Sequence, residues 1–282
     1  MQLDAAAILK RFDDLLAEGR VREAGAYLEE QSALAEREGD NNAAVSIYNE
    51  LEGFWRAAGQ QEKSYAAAEK ALDLLKGLGL EETIDYATTL LNYATAKMVF
   101  GDTQNALALY RRVEEIYQTQ LKPDDYRYAS LYNNMAQSLL RSRDMKIAGE
   151  YFLRSLRLLE KMEDVESEKA TCCCNMAVCL MAQGGMNEAR AYLERAEEAF
   201  CSLPNDPHAD SMLACRGQLE YLSGNYAAAA GYYQRAAENI EKRFGRNVNY
   251  AVMCRNCSKA LAAAGNEAEA ERWAGLAAAA GR

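Results

Sequence analysis

The chain has 282 residues, half of them apolar, and a net charge of −10. That acidity excludes the basic footprint that nucleic acid demands, and it disfavours anionic membrane surfaces. The apolar half is ample for a core, yet no apolar run approaches the ~18 residues of a membrane span.

The start, MQLDAAAILKRFDDLL, reads as an amphipathic helix and lacks the basic start and apolar run of a signal peptide. The eight cysteines are accordingly expected as reduced thiols of a cytoplasmic protein. Ala, Leu, Glu and Arg dominate and no alternating strand pattern persists, so every element is expected to be helical. Proline occurs only at Pro123, Pro204 and Pro207, between the expected helix pairs.

The first pair spans residues 3–37, with Ile8, Leu9, Phe12, Leu15 and Leu16 on one stripe and Glu18-Gly19 as its break. Asp40-Asn41-Asn42 offers caps for the second pair, 43–76, which carries Phe54-Trp55 and ends at Lys76-Gly77-Leu78-Gly79. The third pair spans 83–120, with Asp102-Thr103 starting its second helix, and Lys122-Pro123-Asp124 separates it from the fourth, 126–161. The fifth spans 166–201, where Asn187 is expected to help start the second helix. The loop from Ser202 to Pro207 is the clearest break, but the period continues across it, so it reads as a turn between repeats. The sixth pair, 208–243, and the seventh, 248–280, take Asn225 and Asn266 as caps.

These pairs repeat one plan. Anchors between the two helices stand at Gly19, Gly59, Gly101, Arg143, Gly184, Gly224 and Gly265, spaced 40 to 42 residues apart. Five residues after each comes a small residue: Ala24, Ser64, Ala106, Ala148, Ala189, Ala229 and Ala270. Nine after, a bulky side chain is usual, from Leu28 to Tyr233, with Ala68 and Ala274 as exceptions. Seven before, Ala94, Ala136, Ala177, Gly217 and Ser258 are small, whereas Phe12 and Glu52 break the rule. Fixed-period self-similarity of this kind dictates a stacked core over one domain, 1–282, with a degenerate first repeat as cap.

This pattern resembles the tetratricopeptide repeat family, whose usual period is ~34 residues. The longer period looks like the extended variant of kinesin light chains and many bacterial repeat proteins. The resemblance implies an all-α, right-handed α-solenoid of about seven helix-turn-helix repeats, with first helices lining a concave surface.

Nine residues before the anchors stand Lys10, Glu50, Asn92, Asn134, Asn175, Cys215 and Asn256. Asparagine is a mediocre helix former, so four asparagines among the last five positions ask for a reason. An amide carries donors and an acceptor, and can pair with both N–H and C=O of an extended peptide whatever its side chains. Asn133 sits beside Asn134, and Asn49 occupies the equivalent place in the second repeat. Gln137, Arg141, Arg255 and Lys259 lie a turn or two along the same face, with Arg56 and Lys97 as further candidates; such cations favour a peptide bearing carboxylates. The resemblance implies peptide binding, like the asparagine ladder of kinesin-light-chain-type repeats. The alternative is that each asparagine bonds the neighbouring repeat and sets the stacking. The lysine, arginine and asparagine clamp of the family's chaperone-binding members is not reproduced here.

Catalytic and metal-binding patterns are missing from the sequence. His208 is the single histidine, at a loop-to-helix junction. Cys172-Cys173-Cys174 points three ways around one helix, Cys254-x-x-Cys257 lies mid-helix, and both read as small core residues. No phosphate loop or nucleophile elbow is present. The expectation is a non-enzymatic interaction module without cofactor, whose protein or peptide partner the sequence does not name. The runner-up is an assembly scaffold working through its ends and convex face. The last helix, EAEAERWAGLAAAAGR, leaves two readings open: a homodimer formed through the surface near Trp273, or Trp273 folded back on its own repeat.

Overall fold

The computed structural model describes residues 3–203, 206 and 208–280, apart from the side chain of Phe244. Pro204, Asn205 and Pro207 of the expected inter-repeat turn lie outside the described residues. Among the described residues the chain is fourteen α-helices and no strand, grouped into two compact units, Met1–Arg143 and Asp144–Arg282.

Unit 1 holds α1 (Ala5–Ala17), α2 (Val21–Glu38), α3 (Asn41–Ala57), α4 (Gln61–Gly77), α5 (Ile84–Val99), α6 (Thr103–Gln120) and α7 (Tyr126–Arg141). Unit 2 holds α8 (Met145–Leu159), α9 (Glu166–Ala182), α10 (Met186–Cys201), α11 (Ala209–Leu222), α12 (Tyr226–Phe244), α13 (Val248–Ala263) and α14 (Glu267–Ala279). In both units consecutive helices pack antiparallel-pair fashion, and first helices of successive repeats also touch: α1, α3, α5 and α7 in sequence, and α9 with α11. That second set of contacts makes the first helices one layer of each unit.

The anchors are the turns. Gly19, Gly59, Gly101, Gly184, Gly224 and Gly265 have φ between 72° and 91°, and Arg143 reaches 66° in the same role. The left-handed conformation closes a helix and reverses the chain, and only glycine adopts it without a Cβ penalty. The small residues five positions on are buried, from 0% exposure at Ala24 to 5% at Ala270, where the second helix meets the first. Gly217 shows how tight this approach is: a Cβ there would stand 2.8 Å from a ring carbon of Tyr233.

Capping follows the sequence in part. Asp40 accepts from Ala43 N–H at 3.1 Å and also from Leu3 N–H at 2.8 Å, which ties the entry of α1 to α3. Asn266 accepts from Glu269 N–H. Asn187 lies inside α10, which starts at Met186, so it is not a cap. Asn225 and Asp102 hold the N-cap positions without a side-chain cap bond. Asn225 donates instead to Glu220 Oε2 at 2.7 Å, and Asp102 accepts from Asn105 and Lys97.

At the C-terminal end, Trp273 is 7% exposed and packs with Tyr233, Ile240, Tyr250 and Cys257, so the fold-back reading describes its side chain.

Glu52 breaks the small-residue rule inside unit 1. It is 1% exposed; Ser64 Oγ donates to its Oε1 at 3.3 Å, Arg56 Nη1 stands 3.4 Å away, and Oε2 is buried without a partner. Loss of hydration lifts its carboxyl from 4.5 to about 7, against the opposing pull of Arg56, with Glu50 adding to the rise.

Two measurements follow. A folded value above the unfolded one means the native state binds the extra proton between pH 4.5 and about 7, so stability is full below that window and falls as pH rises through it. Urea unfolding of Glu52→Gln is expected to remove about 3 kcal/mol of this pH dependence. Arg143→Gly is expected to stabilise by about 1 kcal/mol in the same assay, since it relieves a left-handed non-glycine turn.

Candidate functional site

In unit 1 the sequence-derived residues fall on α5 and α7. Asn92, Asn134 and Gln137 are half-buried and Arg141 is exposed. Asn92 and Asn134 make no side-chain hydrogen bond to another described residue, whereas Asn133 is engaged within the chain. Asn49 takes the other course: its Nδ2 donates to Thr89 Oγ1 at 3.1 Å, linking α3 to α5, and its Oδ1 is buried and unpaired. It lines a hollow of about 340 Å³ with Asn42, Asp85 and Thr88. The two further cations are absorbed internally. Arg56 faces Glu52, and Lys97 lies 4.4 Å from the Tyr65 ring and 4.5 Å from the Tyr93 ring while bonding Asp102. Neither is a candidate for ligand contact.

In unit 2 the residues converge more closely. A cleft of about 530 Å³ opens between α11 and α13 over α12. Tyr233, 6% exposed, forms its floor, and half-buried Ala214, Cys215, Met253 and Asn256 form its walls. Exposed Gln218, Tyr221 and Lys259 stand at its mouth. Gly217, one residue before Gln218, lets the Tyr233 ring lie against the α11 backbone. Burial pushes the Tyr233 phenol up to about 12, so it remains a hydrogen-bond donor at neutral pH.

The electrostatics of the cleft are set by where the acids go. No lining residue is acidic. The buried carboxylates of α11 are neutralised on other sides of the helix: Asp210 by Asn239 at 3.0 Å and Arg243 at 3.4 Å, Glu220 by Arg190 at 2.7 Å and Asn225. Arg216, also buried, meets Glu197 at 3.0 Å. Lys259 and neighbouring Arg255 have no ion pair among the described residues. The cleft thus offers amides, a phenol and an ammonium over an apolar floor, a set that fits a polar chain bearing a carboxylate. Asn256 makes no side-chain hydrogen bond to a described residue, while Asn175, on α9, is already engaged.

The sequence reading missed the ion pairs between repeats. Lys63 meets Glu29 at 3.0 Å and Lys70 meets Glu36 at 3.4 Å in unit 1, and Arg195 meets Glu160 at 2.8 Å in unit 2. Arg112 bonds Glu82 likewise. A signal was present: Lys70, Arg112, Arg154, Arg195 and Arg235 all stand eleven residues after an anchor.

The cysteines diverge as their helical spacing requires. Cys172 Sγ is 3.5 Å from the Phe152 carbonyl, Cys173 lies near Arg195, and Cys174 lies near Cys215. Cys257 Sγ is 3.6 Å from the Ala230 carbonyl. Among the described residues no three of His, Cys, Asp and Glu converge as a metal group, and no helix is long and apolar enough to cross a membrane. His208 is exposed at the start of α11.

Residues 85–161 match the family model described as tetratricopeptide repeat. A tetratricopeptide repeat protein from Parabacteroides merdae is similar in structure, with TM-score 0.63 and 16% identity over 99% of this chain and 93% of that one. The quorum sensor NprR from B. thuringiensis, in its apo form, gives TM-score 0.66 and 14% identity over 98% and 82%. TPR-like repeats from Podospora anserina, assigned to a kinesin light chain, give 0.58 and 17% over 71% and 97%. The search of curated proteins returned no match. At these identities the likeness establishes the fold.

If the free amides served the stacking, their loss would be felt in stability. Asn134→Ala and Asn256→Ala are instead expected to leave thermal unfolding unchanged or to raise stability by up to about 0.6 kcal/mol each, the gain in helix propensity. A loss above about 1 kcal/mol for either would assign it to the packing.

Proposed function

We propose that this chain, with tetratricopeptide repeats in its sequence and its fold, is a non-enzymatic protein-interaction module that holds an extended peptide segment against the first helices of its repeats. The fold is commonly an interaction scaffold; the groove, the residues and the ligand class are our reading. The observation that carries it is the cleft between α11 and α13, where Asn256 and Gln218 present unengaged amides beside Lys259 and no carboxylate. Asn256 and Gln218 pair with the peptide backbone, and Lys259, supported by Arg255, meets a carboxylate of the bound segment. In unit 1, Asn92, Asn134, Gln137 and Arg141 offer the same chemistry, with Asn133 beside Asn134; in unit 2, Asn175 on α9 takes the equivalent ladder position. The eight unpaired thiols support a reducing, cytoplasmic compartment.

The second reading, in which the asparagines set repeat stacking, is favoured at Asn49 by its bond to Thr89, and Asn133 and Asn175 are also engaged within the chain. At Asn92, Asn134 and Asn256 no side-chain bond to a described residue supports it.

The test is an array of extended peptides of graded charge, probed with wild type, Lys259→Ala and Asn256→Ala. Acid-bearing peptides are expected to bind in a salt-dependent manner, and Lys259→Ala is expected to weaken them about tenfold or more, the worth of a charge-assisted hydrogen bond. Equal binding by all three proteins would move the site to the second-helix face or the ends of the array.

A further inference from the structure

The hollow of about 340 Å³ in unit 1 differs in character from the cleft of unit 2. Its polar wall comes from α3, through Asn42, Ser46 and Asn49, and from the start of α5, through Asp85 and Thr88. Its apolar wall is Val45, Leu75 and Leu80. Val45 and Leu75 are buried, while Asn42, Ser46, Asp85 and Thr88 are exposed, so the polar side opens to solvent.

The hydroxyl protons of this wall are spent within the chain. Ser46 Oγ donates to the Asn42 carbonyl at 3.1 Å, and Thr88 Oγ1 donates to the Ile84 carbonyl at 2.9 Å. Each of these oxygens is left to a ligand as an acceptor. Behind the wall, Thr89 Oγ1 donates to the Asp85 carbonyl at 3.1 Å, which obliges it to accept from Asn49 Nδ2 and fixes which way that amide points. Asn49 Oδ1 remains a buried acceptor without a partner. The Asp85 carboxylate makes no ion pair among the described residues, and no lining residue is cationic.

Acceptors gathered around one carboxylate, beside an apolar wall, suit a cation that brings its own donors. A hollow of this size is far wider than the cage of oxygens at about 2.0–2.6 Å that a hard metal ion demands. An ammonium on an aliphatic stem matches both walls: its N–H groups meet the acceptors, and the stem lies along Val45, Leu75 and Leu80 as lysine stems lie on apolar surface. The net charge of −10 draws such cations toward the protein. We propose that this hollow is a binding site for a primary alkylammonium ion, either the lysine side chain of a partner segment or a free aliphatic amine, with Asp85 as its counter-ion. The site stands whether or not unit 2 binds a peptide.

The experiment is calorimetric titration of the full chain, at physiological salt, with cadaverine and with Nα-acetyl-lysine amide. The Nε-trimethyl form of the lysine compound, which keeps the charge but has no N–H on it, is the control. Saturable binding in the millimolar range is expected, weakened about tenfold in the trimethyl form. Asp85→Asn is expected to weaken the amines about tenfold or more, and Thr88→Val about threefold. Glu198→Gln makes the same change in net charge at an exposed acid of unit 2 and is expected to leave binding unchanged. Thermal unfolding without amine verifies that each variant is folded, and Thr88→Val and the trimethyl control carry the test if Asp85→Asn does not fold. Tighter binding of the lysine compound assigns the site to a partner's lysine, and tighter binding of cadaverine to a free amine. Equal binding of the trimethyl form overturns the proposal. So does equal binding by Asp85→Asn, the mark of a diffuse cation atmosphere on an acidic protein, or the absence of saturable binding by wild type.

Discussion

Within each compact unit the structure depends on how closely the second helix of a repeat can approach the first. Seven turns in the left-handed conformation reverse the chain in the fewest residues, and seven buried small residues follow them at a constant distance. Each relies on the other. A tight turn with a large residue five positions later would force the helices apart, and an alanine after a loose turn would leave a void. Where bulk enters, space is made for it: the Tyr233 ring is accommodated by Gly217.

The charges are distributed around that packing with a division of labour. Ion pairs between Lys63 and Glu29, Lys70 and Glu36, and Arg195 and Glu160 run from repeat to repeat among second helices. Exposed pairs of this kind contribute little individually, but they consume cations that would otherwise invite ligands. The buried pairs of α11 do the same for its acids, and they turn Asp210 and Glu220 away from the cleft. The unengaged state of Asn256 and Lys259 in the cleft therefore arises as much from what their neighbours are bonded to as from their own chemistry.

Most of the fold was legible because a repeat states its packing rule several times. Helix ends fall within a few residues of the expected repeat limits, and the anchors, the small positions and the divergence of Cys172, Cys173 and Cys174 appear as their spacing required. The caps were less legible: Asn225 and Asp102 have ordinary cap chemistry, yet each bonds a charged residue five positions earlier, across the turn. Arg56 and Lys97 lie on the expected face, yet Glu52 and the Tyr65 and Tyr93 rings claim them. The face of a helix can be read from its period. The engagement of a side chain on that face depends on partners both one turn away, as Glu52 is for Arg56, and a repeat away, as Tyr65 is for Lys97, and the cleft likewise draws its floor and walls from three helices.

The two tryptophans fall one to each unit, in unlike surroundings. Trp55 lies against Phe54 with the Lys63 ammonium 3.9 Å from its ring centre, and Trp273 is enclosed by the apolar cluster of the last repeats. An indole beneath a cation and an indole in hydrocarbon differ in emission. Each compact unit thus carries its own intrinsic fluorophore, and single-tryptophan versions of the chain would report the melting of one half without interference from the other.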